Sequence, residues 1–280
     1  MALKFNDTKR QHNRALVVDL LNLAFRWKHQ GRSDYRYDLK KTIESLASSY
    51  KCGQIIITAD WGSSTYRLNL LPTYKEGRKL LRKDQTDQDA MFFEEFIAEY
   101  LEAIKVLEGE YPVLRFEGVE ADDIAAHVVN NKDRLELEYI WLISSDRDWD
   151  LLVQDGVSRW SYVTRKEITL DNWSEHYEVE PEDYISYKCL MGDKGDDVPG
   201  IEQVGPKRAT ELIETYGSAF DIYNSMPLPG KYKYIQNIND SGDLLLLNYE
   251  LMDLITYCDN AIGQDNIEEI ACQLGITPKV

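Results

Sequence analysis

Nine acidic side chains recur along the 280-residue chain in a pattern that could do chemistry: Asp19, Asp60, Glu120, Asp122, Asp123, Asp146, Asp148, Asp193 and Asp196. Asp19 and Asp60 each close a short apolar run, ALVVD and IIITAD. Glu120, Asp122 and Asp123 lie in GVEADD, Asp146 and Asp148 in SSDRDWD, and Asp193 and Asp196 in GDKGDD. Taken singly, an Asp at such a place is most often a turn or cap residue. The pairing changes that reading. Acids two apart before a helix aim two carboxylates into one space, and like charges gathered there are unstable unless cations neutralise them. Ligation by oxygen alone points to Mg²⁺, with Mn²⁺ as a substitute, rather than to zinc. The four histidines, His12, His29, His127 and His176, show no metal-binding spacing. Two such ions about 4 Å apart suit phosphodiester hydrolysis, one lowering the pKa of an attacking water and the other stabilising the leaving oxygen. No GxSxG, HExxH or Walker motif offers a different chemistry.

The acids need elements to position them. Residues 15–19, 53–60 and 139–146 are β-branched apolar runs ending in Asp, which predicts three buried strands. Helices are expected over 38–50, 87–107 and 121–130, the last opening with acids that suit a helix N-terminus. The order β, α, β, α, α, β predicts an α/β fold with a mainly parallel central sheet flanked by helices. Ligands collect beyond the carboxyl ends of strands in such sheets, where three strands deliver an Asp. After Trp160 the texture turns helical: Pro181 opens one helix, a Gly-rich link follows, and Gly205-Pro206 starts another that Gly217 can end. Two units are expected, residues 1–180 and 181–280.

A net charge of −17 argues against a nucleic-acid partner until its distribution is considered. Residues 84–110 carry −8 and residues 236–280 carry −7, and with the nine clustered acids set aside the rest of the chain is positive. One basic face with acidic flanks fits that segregation. Cys52, Cys189, Cys258 and Cys272 form no CxxC pair, the start Met1–Arg14 is polar, and no apolar run approaches the roughly 18 residues of a membrane span. A cytoplasmic protein with reduced thiols and no membrane contact is expected.

Asp19 with Asn22 and Arg26, TAD followed by Tyr66 and Arg67, GVEADD, SSDRDWD, GDKGDD and PGIEQVGPKRA occur in the order found in the flap endonuclease, or 5′-3′ exonuclease, family. Over roughly residues 15–240 the chain most resembles the stand-alone phage 5′-nucleases and the 5′-nuclease domain of bacterial DNA polymerase I. The resemblance implies a PIN-like nuclease core, a helical arch at about residues 70–100, and a C-terminal helix-3-turn-helix module. It implies that acids matching Asp60, Glu120, Asp122 and Asp123 serve a first metal site. Those matching Asp148, Asp193 and Asp196 serve a second, with Asp19 and Asp146 near both. Lys75 and Arg78 match catalytic arch cations that touch the scissile phosphate, and Tyr74 matches a base-stacking aromatic. From Tyr74 to Lys83 the segment holds five cations and one acid. Arg26 and Arg67 are further DNA contacts by the same resemblance. Gly205, Lys207 and Arg208 match the module's grip on duplex phosphates. A K⁺ ion held by backbone carbonyls would map to Leu190, Met191, Pro199, Ile201 and Val204. The implied activity is structure-specific hydrolysis of branched DNA with 5′ flaps or single-stranded 5′ ends, in replication or repair, by a monomer that cooperates with a polymerase in trans.

Two positions depart from the family pattern: Asp197, where many relatives have Asn, and Trp61, where small or basic residues are usual. Other classes fit less of the chain. A haloacid-dehalogenase-like phosphatase needs an acid at position 21, which is Leu. A PIN-type ribonuclease needs no PGIEQVGPKRA module, and a non-catalytic DNA-binding protein would have lost several of the carboxylates.

Overall fold

The run ending in Asp19 is strand β1 (Gln11–Asp19), and it lies inside a six-stranded sheet. The computed structural model describes residues 10–78 and 86–276, so residues 79–85 of the expected arch and the first nine residues lie outside the described part. Beside β1 run β2 (Cys52–Thr58), β3 (Val113–Leu114), β4 (Tyr139–Ile143), β5 (Val157–Trp160) and β6 (Glu167–Ile168), in the order β3-β2-β1-β4-β5-β6. The first five pair in parallel and only β6 is antiparallel, as expected for a mainly parallel sheet. Parallel strands are apolar on both faces because helices cover both. Leu16 and Val18 of β1 join one core with helices α1 (Leu20–Lys28), α2 (Arg36–Ser49) and, beyond the short α3 (Thr65–Leu70), α4 (Asp87–Glu108). Ala15 and Val17 join the opposite core with α5 (Ala121–Asn130).

Helices α2, α4 and α5 match the expected spans within two residues. Helix α1 and strands β3, β5 and β6 add to the expected set. Strands β2 and β4 end at Thr58 and Ile143, so Asp60 and Asp146 sit in the loops just beyond the strand ends.

The helical half holds α6 (Tyr184–Met191), α7 (Pro206–Tyr216), α8 (Ala219–Asn224), α9 (Lys233–Asn239) and α10 (Gly242–Met252) around a third core that includes Leu190, Ile201, Leu212 and Leu245. Pro206 is the first residue of α7 and Gly217, at φ +95°, closes it. The loop between α6 and α7 crosses itself tightly. A Cβ on Gly200 would lie 2.1 Å from the Met191 carbonyl oxygen, so only glycine fits there. Helices α11 (Leu254–Ile262) and α12 (Gln264–Leu274) do not stay with this unit. Leu254, Cys258, Ile262 and Ile270 pack in the core on the α5 face of the sheet. Among the described residues, no helix is long and apolar enough to cross a membrane.

Candidate metal centre

Asp19 caps α1, one carboxylate oxygen accepting from the Asn22 amide at 3.2 Å and the other from the Ser144 hydroxyl at 2.7 Å. Asn22 in turn accepts from the Ser145 amide at 2.9 Å, tying the end of β4 to the start of α1. Asp60 accepts from the Ala121 amide at 2.7 Å, at the N-terminus of α5, where the helix dipole favours a negative charge. Glu120 caps that helix in position, and Asp122 accepts from the Trp149 indole. Asp146 accepts from the Asp148 amide at 3.0 Å. Asp193 accepts from the amides of Gly195 and Asp196 at 2.7 and 3.2 Å, a turn closed by paired backbone bonds between Asp193 and Val198. The fold therefore brings acids from both halves of the chain to one mouth. An open cleft of about 480 Å³ is lined by Asn22, Asp146, Asp148, Lys188 and Asp193.

Four cationic side chains reach into this group. Lys75 Nζ donates to Glu120 at 2.8 Å and lies 3.5 Å from Asp196, whose other oxygen accepts from Arg78. Lys188 bonds Asp148 and lies 3.4 Å from Asp193. Arg67 forks both oxygens of Asp123 at 2.7 and 2.8 Å. Nine carboxylates share four cations, and the imbalance shows in their proton affinities. Burial, then the neighbouring charge of Asp60, pushes Asp19 up to about 8. Burial and Asp146 push Asp122 well above the carboxylate range. Burial raises Asp60 as well, and lifts Asp148 to about 6 against the pull of Lys188. Burial opposes ionisation of Glu120 too, but Lys75 and Arg67 outweigh it and its pKa is lowered.

Four of the expected site residues are buried or paired in this arrangement: Arg67, Asp123, Tyr74 and Arg26. Arg67 is 4% exposed, it pairs with Asp123, and its Nε donates to the Leu251 carbonyl at 2.9 Å. Both oxygens of Asp123 are engaged by that guanidinium in this arrangement. Tyr74 is 3% exposed, with its hydroxyl on Glu120 and Asp196 at 3.1 and 2.9 Å, so it offers no face for stacking in this arrangement. Arg26 is wedged between rings, 4.3 Å from the Tyr162 centroid and 5.0 Å from that of Trp27.

Lys188 went unread in the sequence, although it stands one helical turn before GDKGDD. Arg159 did too; it forks the buried Asp150 and donates to the Ser144 carbonyl at 2.9 Å, bracing the loop that carries Asp146. The two unusual residues also find places. Asp197, at φ +57°, accepts from the Gly77 amide at 2.7 Å, and Lys75 N donates to the Asp196 carbonyl at 3.0 Å, so the start of the arch is fastened to the GDKGDD loop. Trp61 is exposed, with the Arg115 guanidinium 4.5 Å from its ring centroid.

Away from the mouth, Lys207 projects exposed from the start of α7 with Glu211 at 3.8 Å beside it. Arg208 folds back to the Gln203 carbonyl and stacks on Tyr234. A Cβ on Gly205 would meet nothing within 4 Å beyond its chain neighbours.

Among the described residues, no three acidic, histidine or cysteine side chains converge closely enough to hold one ion in this arrangement, because Lys75, Arg78 and Lys188 take the oxygens. The chemistry of the set still fits hard divalent cations. Its donors are oxygens, acids outnumber cations, and the buried hydroxyl of Tyr100, within the field of Asp60 and Asp19, lacks any partner among the described residues.

The family model described as 5′-3′ exonuclease, N-terminal resolvase-like domain, matches residues 12–178, and the one described as 5′-3′ exonuclease, C-terminal SAM fold, matches residues 179–272. The chain belongs to the 5′-3′ exonuclease family. This nuclease is 41% identical to a flap endonuclease of Escherichia phage T5, over 91% of its own length and 89% of the relative's. It is 26% identical to the flap endonuclease Xni of Shewanella woodyi, over 87% and 94% of the two chains. Among solved structures, the phage T5 D15 flap endonuclease in a pseudo-enzyme-product complex with DNA and metal ions superposes with a TM-score of 0.89 at 39% identity, covering 93% of this chain and 97% of that one.

The raised carboxylates make the nuclease sensitive to pH. An unfolded Asp releases its proton near pH 4, whereas folded Asp19 holds it to about 8 and Asp148 to about 6. The folded state then binds more protons than the unfolded one across this window, so stability falls as pH rises from about 4 toward 8. With chelator present, the Tm is expected to drop by several degrees from about pH 5 to about pH 8, and saturating divalent ions should recover most of that loss at the upper end. A flat profile in chelator would contradict the assigned charge imbalance.

Proposed function

We propose that the nuclease hydrolyses phosphodiester bonds near single-strand/duplex junctions of branched DNA, as a 5′ flap endonuclease with 5′-3′ exonuclease action. The observation that carries this reading is the common mouth of carboxylates lying against the arch cations Lys75 and Arg78. The relative crystallised with DNA and metal ions supports the choice of substrate and cofactor. Asp19, Asp60, Glu120, Asp122, Asp123, Asp146, Asp148, Asp193 and Asp196 would hold two Mg²⁺ ions, with Mn²⁺ as a substitute. When bound, such ions acidify a water and offset charge on the leaving oxygen. The chain's own residues do the rest. Asn22 and Arg159 hold the Asp146 loop in register with Asp19. Lys75 and Arg78, now paired with carboxylates, become free to meet a scissile phosphate once divalent ions take over that pairing, and would stabilise its developing charge.

The open surroundings of Gly205, the exposed ammonium of Lys207, and an α7 first turn free of acids support phosphate contact by the duplex at that helix start. The carbonyls of Leu190, Met191, Pro199, Ile201 and Val204 lie along the tight α6–α7 crossing and are proposed to hold K⁺. Those of Leu190, Ile201 and Pro199 each accept one hydrogen bond, from Ile201 N, Val204 N and Asn248 Nδ2, which leaves each a lone pair. A monomer acting in trans with a polymerase completes the reading.

Product mapping tests it. On an end-labelled 5′ flap, a nicked duplex and a single strand, the flap should be cut near its junction only when Mg²⁺ is present. Cutting of the single strand at equal rate, or cleavage in chelator, would overturn the proposal.

A further inference from the structure

Tyr100 sits in the middle of α4, the helix that follows the arch segment, and its ring packs in the core between that helix and the sheet. The residue is 4% exposed, and its hydroxyl has no hydrogen-bond partner among the described residues. That is costly, since a buried, unsatisfied hydroxyl carries a desolvation penalty of about 1–3 kcal/mol. Phenylalanine would fill the same space without that penalty, as Phe96 does one turn earlier on the same helix. The charged groups acting on the hydroxyl are Asp60, Asp19 and Arg115, with Tyr35 behind them. The Ala121 amide holds one oxygen of Asp60, and the Asn22 amide and Ser144 hold the two oxygens of Asp19; neither carboxylate lies within hydrogen-bond reach of the Tyr100 hydroxyl. A hydroxyl also accepts, and an orphaned one within the field of these carboxylates fits one class of partner best: a water polarised by a divalent cation, which donates strongly.

We propose that Tyr100 is a positioning residue of this metal centre, its hydroxyl hydrogen-bonding a water held by the divalent ion that Asp19 and Asp60 help to bind. The inference rests on the proposed metal-dependent function and adds a residue outside the carboxylate set. It also gives the arch a mechanical connection to the centre, because Tyr100 and the C-terminal side of the arch share one helix. Neighbours that orient a metal's ligands commonly affect metal affinity or activity by 10- to 100-fold when removed.

The test is Tyr100→Phe, which keeps the ring and deletes the unpartnered oxygen. In chelator, its Tm should equal or exceed that of the unmodified protein. In the absence of DNA, its Mn²⁺ affinity, read by calorimetry and by the Tm shift on Mn²⁺ addition, should fall on the order of tenfold. In Mg²⁺, kcat on a 5′ flap should fall while KM stays within about twofold, because the contact is to the metal's water rather than to DNA. Restoration of the unmodified protein's Mn²⁺ affinity by no more than added salt, or an unchanged affinity and kcat, would overturn the proposal and leave the hydroxyl a plain packing defect. If the unmodified protein itself takes up no Mn²⁺, the metal centre fails and the Tyr100 proposal falls with it; if it does and Tyr100→Phe matches it, only the Tyr100 proposal fails.

Discussion

Asp146→Asn is expected to lower the single-turnover rate of 5′-flap cleavage in Mg²⁺ on the order of 10³-fold, about 4 kcal/mol of transition-state stabilisation. The substitution is chosen because it separates charge from fold. Asp146 caps the short 3₁₀ turn Arg147–Leu152 by accepting from the Asp148 amide at 3.0 Å, and an asparagine oxygen can accept the same bond. What disappears is one negative charge among acids that already crowd one another, since Asp146 raises both Asp122 and Asp148. Without a divalent ion, that loss relieves repulsion, so the variant should be at least as stable as the parent in chelator. With Mg²⁺ it should gain less stability on metal addition. Binding of branched DNA in Ca²⁺ should change by less than about threefold, because the duplex contacts proposed at Gly205, Lys207 and Arg208 lie on another loop. Near-normal turnover would remove Asp146 from the centre and with it the case for two ions.

Much of the acidic mouth was legible because the signal is local. A β-branched run ending in Asp at a parallel-strand terminus identifies both the strand and the edge where its acid sits, which is how Asp19, Asp60 and Asp146 could be assigned to one region. GVEADD and GDKGDD are likewise local, a helix cap and a tight turn. The partners of those acids were not legible. Lys188 meets Asp148 across 40 residues, and Arg67 meets Asp123 across 56, so nothing in either neighbourhood marks the pairing. Tyr74 matches a base-stacking aromatic in a basic segment, and nothing near it in sequence shows that its ring joins the third core and its hydroxyl reaches two carboxylates. The same long-range geometry resolves Asp197. Beside Asp196 it resembles one more metal acid, but the left-handed backbone at φ +57° turns its side chain to the Gly77 amide. Helices α11 and α12 return to the core on the α5 face for a similar reason. Their apolar stripe matches the uncovered α5 face of the sheet, a surface the sequence alone does not show to be open.

Lys75→Ala should slow single-turnover flap cleavage by about 10²-fold while duplex affinity in Ca²⁺ changes by less than about threefold. The structure gives this expectation a second, independent arm. Lys75 is the principal cation on Glu120, which is 4% exposed, and it lies 3.5 Å from Asp196, which Arg78 and Tyr74 also bond. Removing it leaves a buried carboxylate with Arg67 at 3.4 Å as its nearest remaining cation. The pKa of Glu120, now held down against burial chiefly by Lys75, should rise, and the metal-free protein should lose stability above the ordinary carboxylate range. Divalent ions would supply the missing positive charge, so Mg²⁺ should stabilise Lys75→Ala more than it stabilises the parent. Lys75 also adopts φ +56°, a left-handed conformation that glycine accepts without strain, which makes Lys75→Gly the useful companion. If both variants lose rate alike, the ammonium is the cause. If Lys75→Gly cleaves normally, backbone geometry at the start of the arch matters more than charge. And if duplex affinity falls as far as rate, Lys75 grips DNA in the ground state and the arch cations do not act on the scissile phosphate.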